Sequence, residues 1–376
     1  MKVVHIMNEL RPSGAEVMLR LAAPVWIDCG VDLFIVSCGS TTGAYAKMLS
    51  SAGYRIYSCP RQRSWKSITW FYRLIRVFKE VQPEVVHVHC EAQAPLIVLA
   101  ARFAGVRTMI RTVHSVFQYT GLLRARKTLE RGLMRTCRTR NIAISESVRL
   151  NEMERFRNRT RLINNWIDVS HFRPPTKEER RSARKELGVN GAQKLIVSVG
   201  NGCDIKNYQS VVRAINALSS SDDLIYFQVG NEHCDGADRR LVDELNLGER
   251  VKFIGPVANV RTYLWASDVY IMPSLFEGFG LAAAEALACG VPCIFSDVPG
   301  LKDWKEKGLE IIWAKTPAAV CVEQALLHFL KIHGSKHSSL CAKNVEIIHR
   351  DISAKKGASA YLESYLETVG SSVIER

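Results

Sequence analysis

The sequence predicts an α/β protein made of two doubly wound parallel-sheet domains in tandem. Two observations carry this. Short β-branched runs alternate with longer stretches of helical periodicity from one end of the chain to the other. The alternation breaks once, at 166-WIDVSHFRPPTKEERR-181, where a double proline precedes a charged run. Strand–helix–strand repetition calls for a parallel sheet covered on both faces. Two prolines followed by charge read as a linker, here near 170–178. At 376 residues the chain has room for two ordinary domains, expected at 1–172 and 178–356.

In the first half VVHIM (3–7), LFIVSC (33–38), RIYSC (55–59), VVHVH (85–89), TMIRTVH (108–114) and NIAIS (141–145) read as strands, with helical segments such as 65-WKSITWFYRLIRVFKEV-81 between them. After the linker the strands are KLIVSVG (194–200), LIYFQVG (224–230), VKFIG (251–255), VYIMPS (269–274), PCIFSDV (292–298) and LEIIW (309–313). Both halves have a glycine turn just after a strand. Neither has G-x-G-x-x-G, which argues against a nicotinamide cofactor.

Composition narrows the class. A hydrophobic fraction of 47% with 23% charged residues is that of a soluble globular protein. The eleven cysteines are scattered and odd in number. Cys289 and Cys293 lie close together without nearby histidines, a spacing that matches no common zinc or redox pattern, so reduced thiols in a cytoplasmic protein are expected. The apolar run near the N-terminus is too short for a signal-peptide core. Arg102 interrupts the most apolar stretch, 94–106, well short of a spanning helix. Residues 1–175 hold 27 Lys/Arg and 12 Asp/Glu, a net +15, whereas 176–376 hold 24 and 25, a net −1; together they give the +14 of the whole chain. The two halves should therefore face different partners.

The stretch 274-SLFEGFGLAAAEALACGVP-292 raises the chemical question, because Glu285 stands in an otherwise apolar helix and Glu277 beside glycines. A buried carboxylate without a partner is costly, so it either faces solvent or holds something. A strand (VYIMPS), a glycine turn and a helix ended by Gly290-Val-Pro292 follow in order. Open α/β sheets bind ligands at the carboxyl ends of strands, and a helix start offers free N–H groups to a phosphate. Gly278 and Gly280 let a ligand approach the backbone. Glu285 lies about 7.5 Å along the helix, leaning back toward its start. There it can accept two hydrogen bonds from a vicinal diol such as ribose. Glu277 would face a sugar beyond the diphosphate. A solvated glutamate on an amphipathic helix is the plain alternative.

The motif E-G-F-G-L-A-x-x-E-A-L-A-x-G-x-P, with Glu277 and Glu285 as E-x7-E, resembles the retaining glycosyltransferases of family 4, which have the GT-B fold of two Rossmann-like domains facing a central cleft. PSGAE (12–16), PEVVHVH (83–89), RTVHS (111–115), IAISESV (142–148), VSVG with Lys206-Asn207, RVKFIG (250–255) and ASDVYIMPS (266–274) fall in the family's order. The resemblance implies a nucleotide-sugar donor, UDP- or GDP-linked, whose sugar passes with retention to a glycan or lipid-linked acceptor in polysaccharide biosynthesis (exopolysaccharide, capsule or lipopolysaccharide). It implies that Glu285 binds the ribose, and that Glu277 with Gly278, Phe279, Gly280 and Leu281 holds the donor sugar and phosphates. Lys206 would neutralise the leaving diphosphate. Gly255 falls within the donor-binding set. Asn201 stands where the family usually has arginine as a second phosphate cation, and Trp166 where N-G-I-D has glycine. These departures motivate an alternative, a catalytically weak or inactive nucleotide-sugar-binding scaffold. The last helix, 357–376, is expected to cross back onto the first domain. No metal is expected, since there is no D-x-D between strands.

In the first half, Gly14 should open a helix and bring its backbone to the donor phosphates. Glu16 is explained either as a favourable charge at the helix start or as a catalytic group. His114 ends a strand, and the resemblance implies contact with the transferring sugar. His87 and His89 alternate along a strand, facing one side. The blocks 61-RQRSWKSITWFYRLIRVFKE-80 and 122-LLRARKTLERGLMRTCRTR-140 mix cations with apolar residues, as on helices that dock on anionic lipid. A cytoplasmic protein peripherally bound to the inner membrane face is expected; nothing resembles a nucleic-acid-binding module.

Overall fold

The computed structural model describes residues 1–61, 67–218, 223–331 and 334–374. The first unit begins with alternating elements: β1 (Lys2–Met7), α1 (Gly14–Asp28), β2 (Asp32–Ser37), α2 (Ala46–Ser51), β3 (Arg55–Ser58), α3 (Ser67–Val81), β4 (Val85–Val88), α4 (Ala94–Phe103), β5 (Thr108–Val113), α5 (Gly121–Thr136), β6 (Arg140–Ala143), α6 (Glu146–Phe156) and β7 (Arg161–Leu162). The second unit continues with α7 (Lys177–Glu186), β8 (Lys194–Val199), α8 (Gln209–Ala217), β9 (Leu224–Val229), α9 (Ala237–Glu244), β10 (Val251–Gly255), α10 (Val260–Ala266), β11 (Val269–Met272), α11 (Leu281–Ala288), β12 (Cys293–Ser296), β13 (Ile312–Ala314), α12 (Ala319–Lys331) and α13 (Gly334–Asp351). The final helix, α14 (Ala354–Ile374), belongs to the first unit. Trp65, with Arg63 and Lys66 of the first basic block, lies outside the described residues.

All strand pairings are parallel. The first sheet has the order β3-β2-β1-β4-β5-β6-β7 and the second β10-β9-β8-β11-β12-β13. The inner strands β1 and β2 of the first sheet and β9 of the second are apolar and buried on both faces, as a sheet sandwiched between helices requires, while the edge strands β3, β7 and β10 are more open. In each sheet the direction of winding reverses once, between β1 and β4 and between β8 and β11. A ligand site is expected outside the carboxyl ends of those strands, which draws attention to the turns after β1, β4, β8 and β11.

Two sequence expectations need correction. The units divide at Trp166/Ile167 and Ser353/Ala354 rather than at 172/178 and 356/357. The stretch taken for a linker is packed into the second unit. Ile167 N donates to Ile352 O at 3.0 Å and Trp265 Nε1 to Arg173 O at 2.8 Å, while Arg180 and Arg184 each reach Asp268 at 2.9 Å. The charges of α7 are thus structural partners. Trp166 also belongs to the first unit's core: it is 2% exposed, donates from Nε1 to Met18 O at 3.2 Å and meets Tyr361 edge to face.

Packing explains α14. Trp26 Nε1 of α1 donates to Ala358 O at 2.9 Å, and Tyr361 and Tyr365 join the core lining that side of the first sheet. Gly357 lies so close to the Trp166 ring that an added Cβ would fall 2.1 Å from it. The other face of the sheet packs against α3 and α4 through Trp70, Leu74, Phe78 and Ile97. Among the described residues no helix is long and apolar enough to cross a membrane, and every cysteine is unpaired, with Cys289 and Cys293 buried.

Candidate active site

In the second unit, the turns after β8 and β11 meet. Gly200 leaves β8 at φ 145°, and its carbonyl accepts from Gln228 Nε2 at 2.8 Å and Tyr208 Oη at 3.2 Å. A Cβ at Gly200 would lie 2.9 Å from that hydroxyl and 3.3 Å from Lys206 Cε, so glycine lets the lysine fold over the turn. Asn207, at φ 53°, clips the turn to its neighbours by donating to Pro273 O and Pro317 O at 3.1 and 2.7 Å. Leu275 N then donates to Ile205 O at 2.8 Å.

This clip sets Lys206 against Glu277. The Nζ–Oε1 distance is 2.7 Å, and Ser274 Oγ donates to the same oxygen at 2.8 Å. The Glu277 backbone is held too: its amide donates to Pro299 O at 3.0 Å, and Gly300 passes its carbonyl so closely that any Cβ would collide.

Gly280, at φ 78°, turns the chain into α11. Ala284 is the first residue after Glu277 whose amide finds an internal acceptor, Gly280 O at 3.1 Å. Among the described residues the amides of Gly278 to Ala283 therefore have no internal acceptor, as the free start of a helix does when it can receive an anion. The Phe279 side chain is buried against Trp304, ring centroids 4.9 Å apart, leaving its backbone to the site; Leu281 is partly buried. Glu285, partly buried on α11, has no hydrogen-bond or ion-pair partner among the described residues. Burial alone pushes its carboxyl up to about 8. The solvated-surface reading is thereby disfavoured.

Asn201 is exposed, and its Oδ1 accepts from the amide and side chain of Asn231, both at 3.1 Å, leaving Nδ2 for a ligand. Gly255 ends β10 at φ 80° with open space where a Cβ would stand, and its carbonyl accepts from Gly230 N at 2.9 Å.

Gly14 and His114 belong to the first unit. Gly14 opens α1 directly beyond the turn that follows β1. Glu16 is buried, accepts from Ser13 Oγ, and is raised above the ordinary carboxylate range by burial. Its local role is at the helix start. His114, just past β5, is hydrogen-bonded to His89 at 3.0 Å, and burial lowers it to about 4.

The basic block on α5 is partly internal. Arg131 and Lys127 are buried, Arg131 making a two-pronged pair with Glu152 at 2.6 and 2.8 Å, and Lys127 reaching Glu130 at 2.7 Å. Those two cations are structural, not free for a membrane. On α3, Trp70 packs inward while Tyr72 is exposed. Sequence reasoning missed Ser274, Gly300 and His5, and only the position of Ser274 at the strand end could have flagged it.

The same residues can be set against known proteins. Residues 12–171 match Glycosyltransferase Family 4 and residues 179–338 match Glycosyl transferases group 1. The chain belongs to glycosyltransferase family 4. Among relatives of this family-4 chain, EpsF of Bacillus subtilis (strain 168) is 27% identical over 310 residues, 79% of each chain. The UDP-Gal:alpha-D-GlcNAc-diphosphoundecaprenol alpha-1,3-galactosyltransferase of Escherichia coli is 27% identical over 248 residues, 63% of each. A glycosyltransferase from Rickettsia africae ESF-5 superposes with a TM-score of 0.84 at 17% identity, covering 98% of both chains. Anabaena Alr3699/HepE, solved in complex with UDP and glucose, gives 0.81 at 16% identity, covering 97% of this chain and 99% of its own. The fold of this group 1 glycosyltransferase is of the GT-B type.

Proposed function

We propose that this glycosyltransferase takes a sugar from a nucleotide-sugar donor, a UDP-sugar before a GDP-sugar, and passes it with retention to a glycan or lipid-linked acceptor in polysaccharide biosynthesis. One observation carries the donor reading: among the described residues Glu285 has no partner, its carboxyl is raised to about 8, and it stands five residues into a helix whose leading amides are untaken. A carboxyl in that state gains most from accepting the two hydroxyls of a ribose. The diphosphate then meets the Gly278–Leu281 amides and Lys206, while Glu277 faces the sugar. In the transfer, the acceptor oxygen bonds to the anomeric carbon as the carbon–phosphate-oxygen bond breaks, and the acceptor proton passes to the departing diphosphate. Lys206 stabilises the charge that builds there. No metal is required in this scheme.

The protein would work at the inner membrane face. On α5, Leu122, Leu129 and Leu133 are exposed on one face with Arg126, an apolar stripe beside a cation.

The test is thermal stabilisation by a panel of UDP- and GDP-sugars in the wild type and Glu285→Gln, followed by NMR of the product anomer. Stabilisation by no nucleotide sugar, or an inverted product, overturns the reading.

A further inference from the structure

Three imidazoles of the first unit are joined nitrogen to nitrogen. His5 Nδ1 lies 3.1 Å from His89 Nε2, and His89 Nδ1 lies 3.0 Å from His114 Nε2. The row forms because His5 on β1 is in register with His87 on β4, which brings His89, two residues further on, alongside. Its ends differ. His5 Nε2 is buried with no hydrogen-bond partner among the described residues. His114 is partly exposed, and its Nδ1 is neither sealed nor engaged among the described residues. The hydroxyls around His5 are committed elsewhere: Tyr54 donates to Leu19 O at 2.8 Å, and Tyr365 Oη is 2.8 Å from His87 Nδ1. The His5 ring itself stacks on Trp26.

Burial keeps all three rings neutral near pH 7, lowering His5 to about 3, His114 to about 4 and His89 well below its ordinary value. Arg111 adds to the lowering at His114. Three neutral imidazoles carry three N–H protons. Two fill the two hydrogen bonds, and the third must sit at one end of the row. At His5 Nε2 it would be a buried donor with no acceptor, a penalty of about 1–3 kcal/mol. Orphaned donors are rarer in folded proteins than under-used acceptors. At His114 Nδ1 the proton meets solvent or a ligand.

We propose that His5 and His89 hold His114 as its Nδ1–H tautomer, so that His114 presents a hydrogen-bond donor to a ligand oxygen and not a proton acceptor. All three rings then share the Nδ1–H form, the reverse of the tautomer that predominates in a free histidine side chain. His5 and His89 are positioning residues that act through His114. His87 stands outside the row. Its nitrogens are already hydrogen-bonded, Nδ1 to Tyr365 and Nε2 to Thr112 at 2.7 Å. The nearby nitrogens of His5, His87 and His89 therefore do not offer three free ligands to a metal. That the ligand oxygen is a sugar hydroxyl rests on the proposed function; the tautomer does not.

The test is two-bond nitrogen–proton NMR of the full-length protein with 15N-labelled histidine, without ligand, at neutral pH. Nδ1–H patterns for His5, His89 and His114 are expected; an Nε2–H pattern at His114 overturns the proposal. In His89→Phe, His114 should pass to a mixture of tautomers and kcat/KM should fall on the order of 10-fold. A His114 tautomer unchanged in that variant would remove the positioning role. If His89→Phe does not fold, the wild-type spectrum still decides. The expected tautomer in a protein that turns over no nucleotide sugar would support the row and refute the proposed function alone.

Discussion

Lys206 and Glu277, 71 residues apart in sequence, close into a 2.7 Å ion pair across the turns that follow β8 and β11. The pair is partly exposed, so its own contribution to stability is small, roughly 1 kcal/mol or less. Under the proposed function its value is positional, since it holds a cation at the turn that leads into α11, where the diphosphate would arrive. Lys206→Met should keep the wild-type unfolding temperature within a few degrees while kcat falls by about 10²–10³. Glu277→Ala should remove turnover while nucleotide binding persists. Steady-state kinetics and calorimetric titration check both.

If Glu285 takes the ribose as proposed, it links ligand binding to protons. Burial raises its carboxyl to about 8, and a diol would favour the ionised form. Nucleotide binding should release a proton, and affinity should rise up to about tenfold per pH unit as pH climbs toward 8, then level off. For the unliganded fold the sign is opposite. The folded value lies above the unfolded one, so the contribution of the protonated group is present below about 4.5 and is lost as pH rises toward 8. Glu285→Gln should therefore gain thermal stability over the wild type as pH increases from 5 to 8. An affinity and a melting temperature both indifferent to pH over that range would count against this account.

Gly357 and Trp166 share one space. Gly357→Ala puts a methyl group into the indole, and overpacking of this kind costs about 1–3 kcal/mol. Trp166→Leu should relieve that clash, so the double variant should be more stable than the sum of the two single changes. A denaturant double-mutant cycle measures it.

Glu152 is fully buried between Arg131 and Asn158, whose Nδ2 donates to it at 2.6 Å. Glu152→Gln removes one of the two carboxylates that Arg131 reaches, the other being Glu91 at 3.2 Å, and the loss should be about 1–3 kcal/mol in a guanidinium titration. Co-flotation with anionic vesicles addresses a different face of α5. Leu122→Ser/Leu129→Ser/Leu133→Ser should weaken it without changing stability, because all three side chains are exposed.

Much of the architecture could be read from the chain because each buried strand is a short β-branched run. β7, only Arg161–Leu162, gives no such run and was missed. The linker expectation failed for a physical reason. Pro174 and the arginines of α7 look solvated in sequence, but Asp268, Trp265 and backbone carbonyls of the second unit take them up. E-x7-E puts Glu277 in the turn before α11 and Glu285 within it because both lie on one short local stretch of chain. The Lys206–Glu277 pair and the histidine row were not legible, since they arise from strand register and turn closure over long sequence separations. His5 looked like any other residue of a buried strand.

Because α14 supplies Tyr365 to His87 and a carbonyl to Trp26, the amino-terminal Rossmann-like unit lacks part of its interior until α14 itself has been made. The nascent chain therefore carries an open hydrophobic flank on that unit while Ile167–Ser353 is being made.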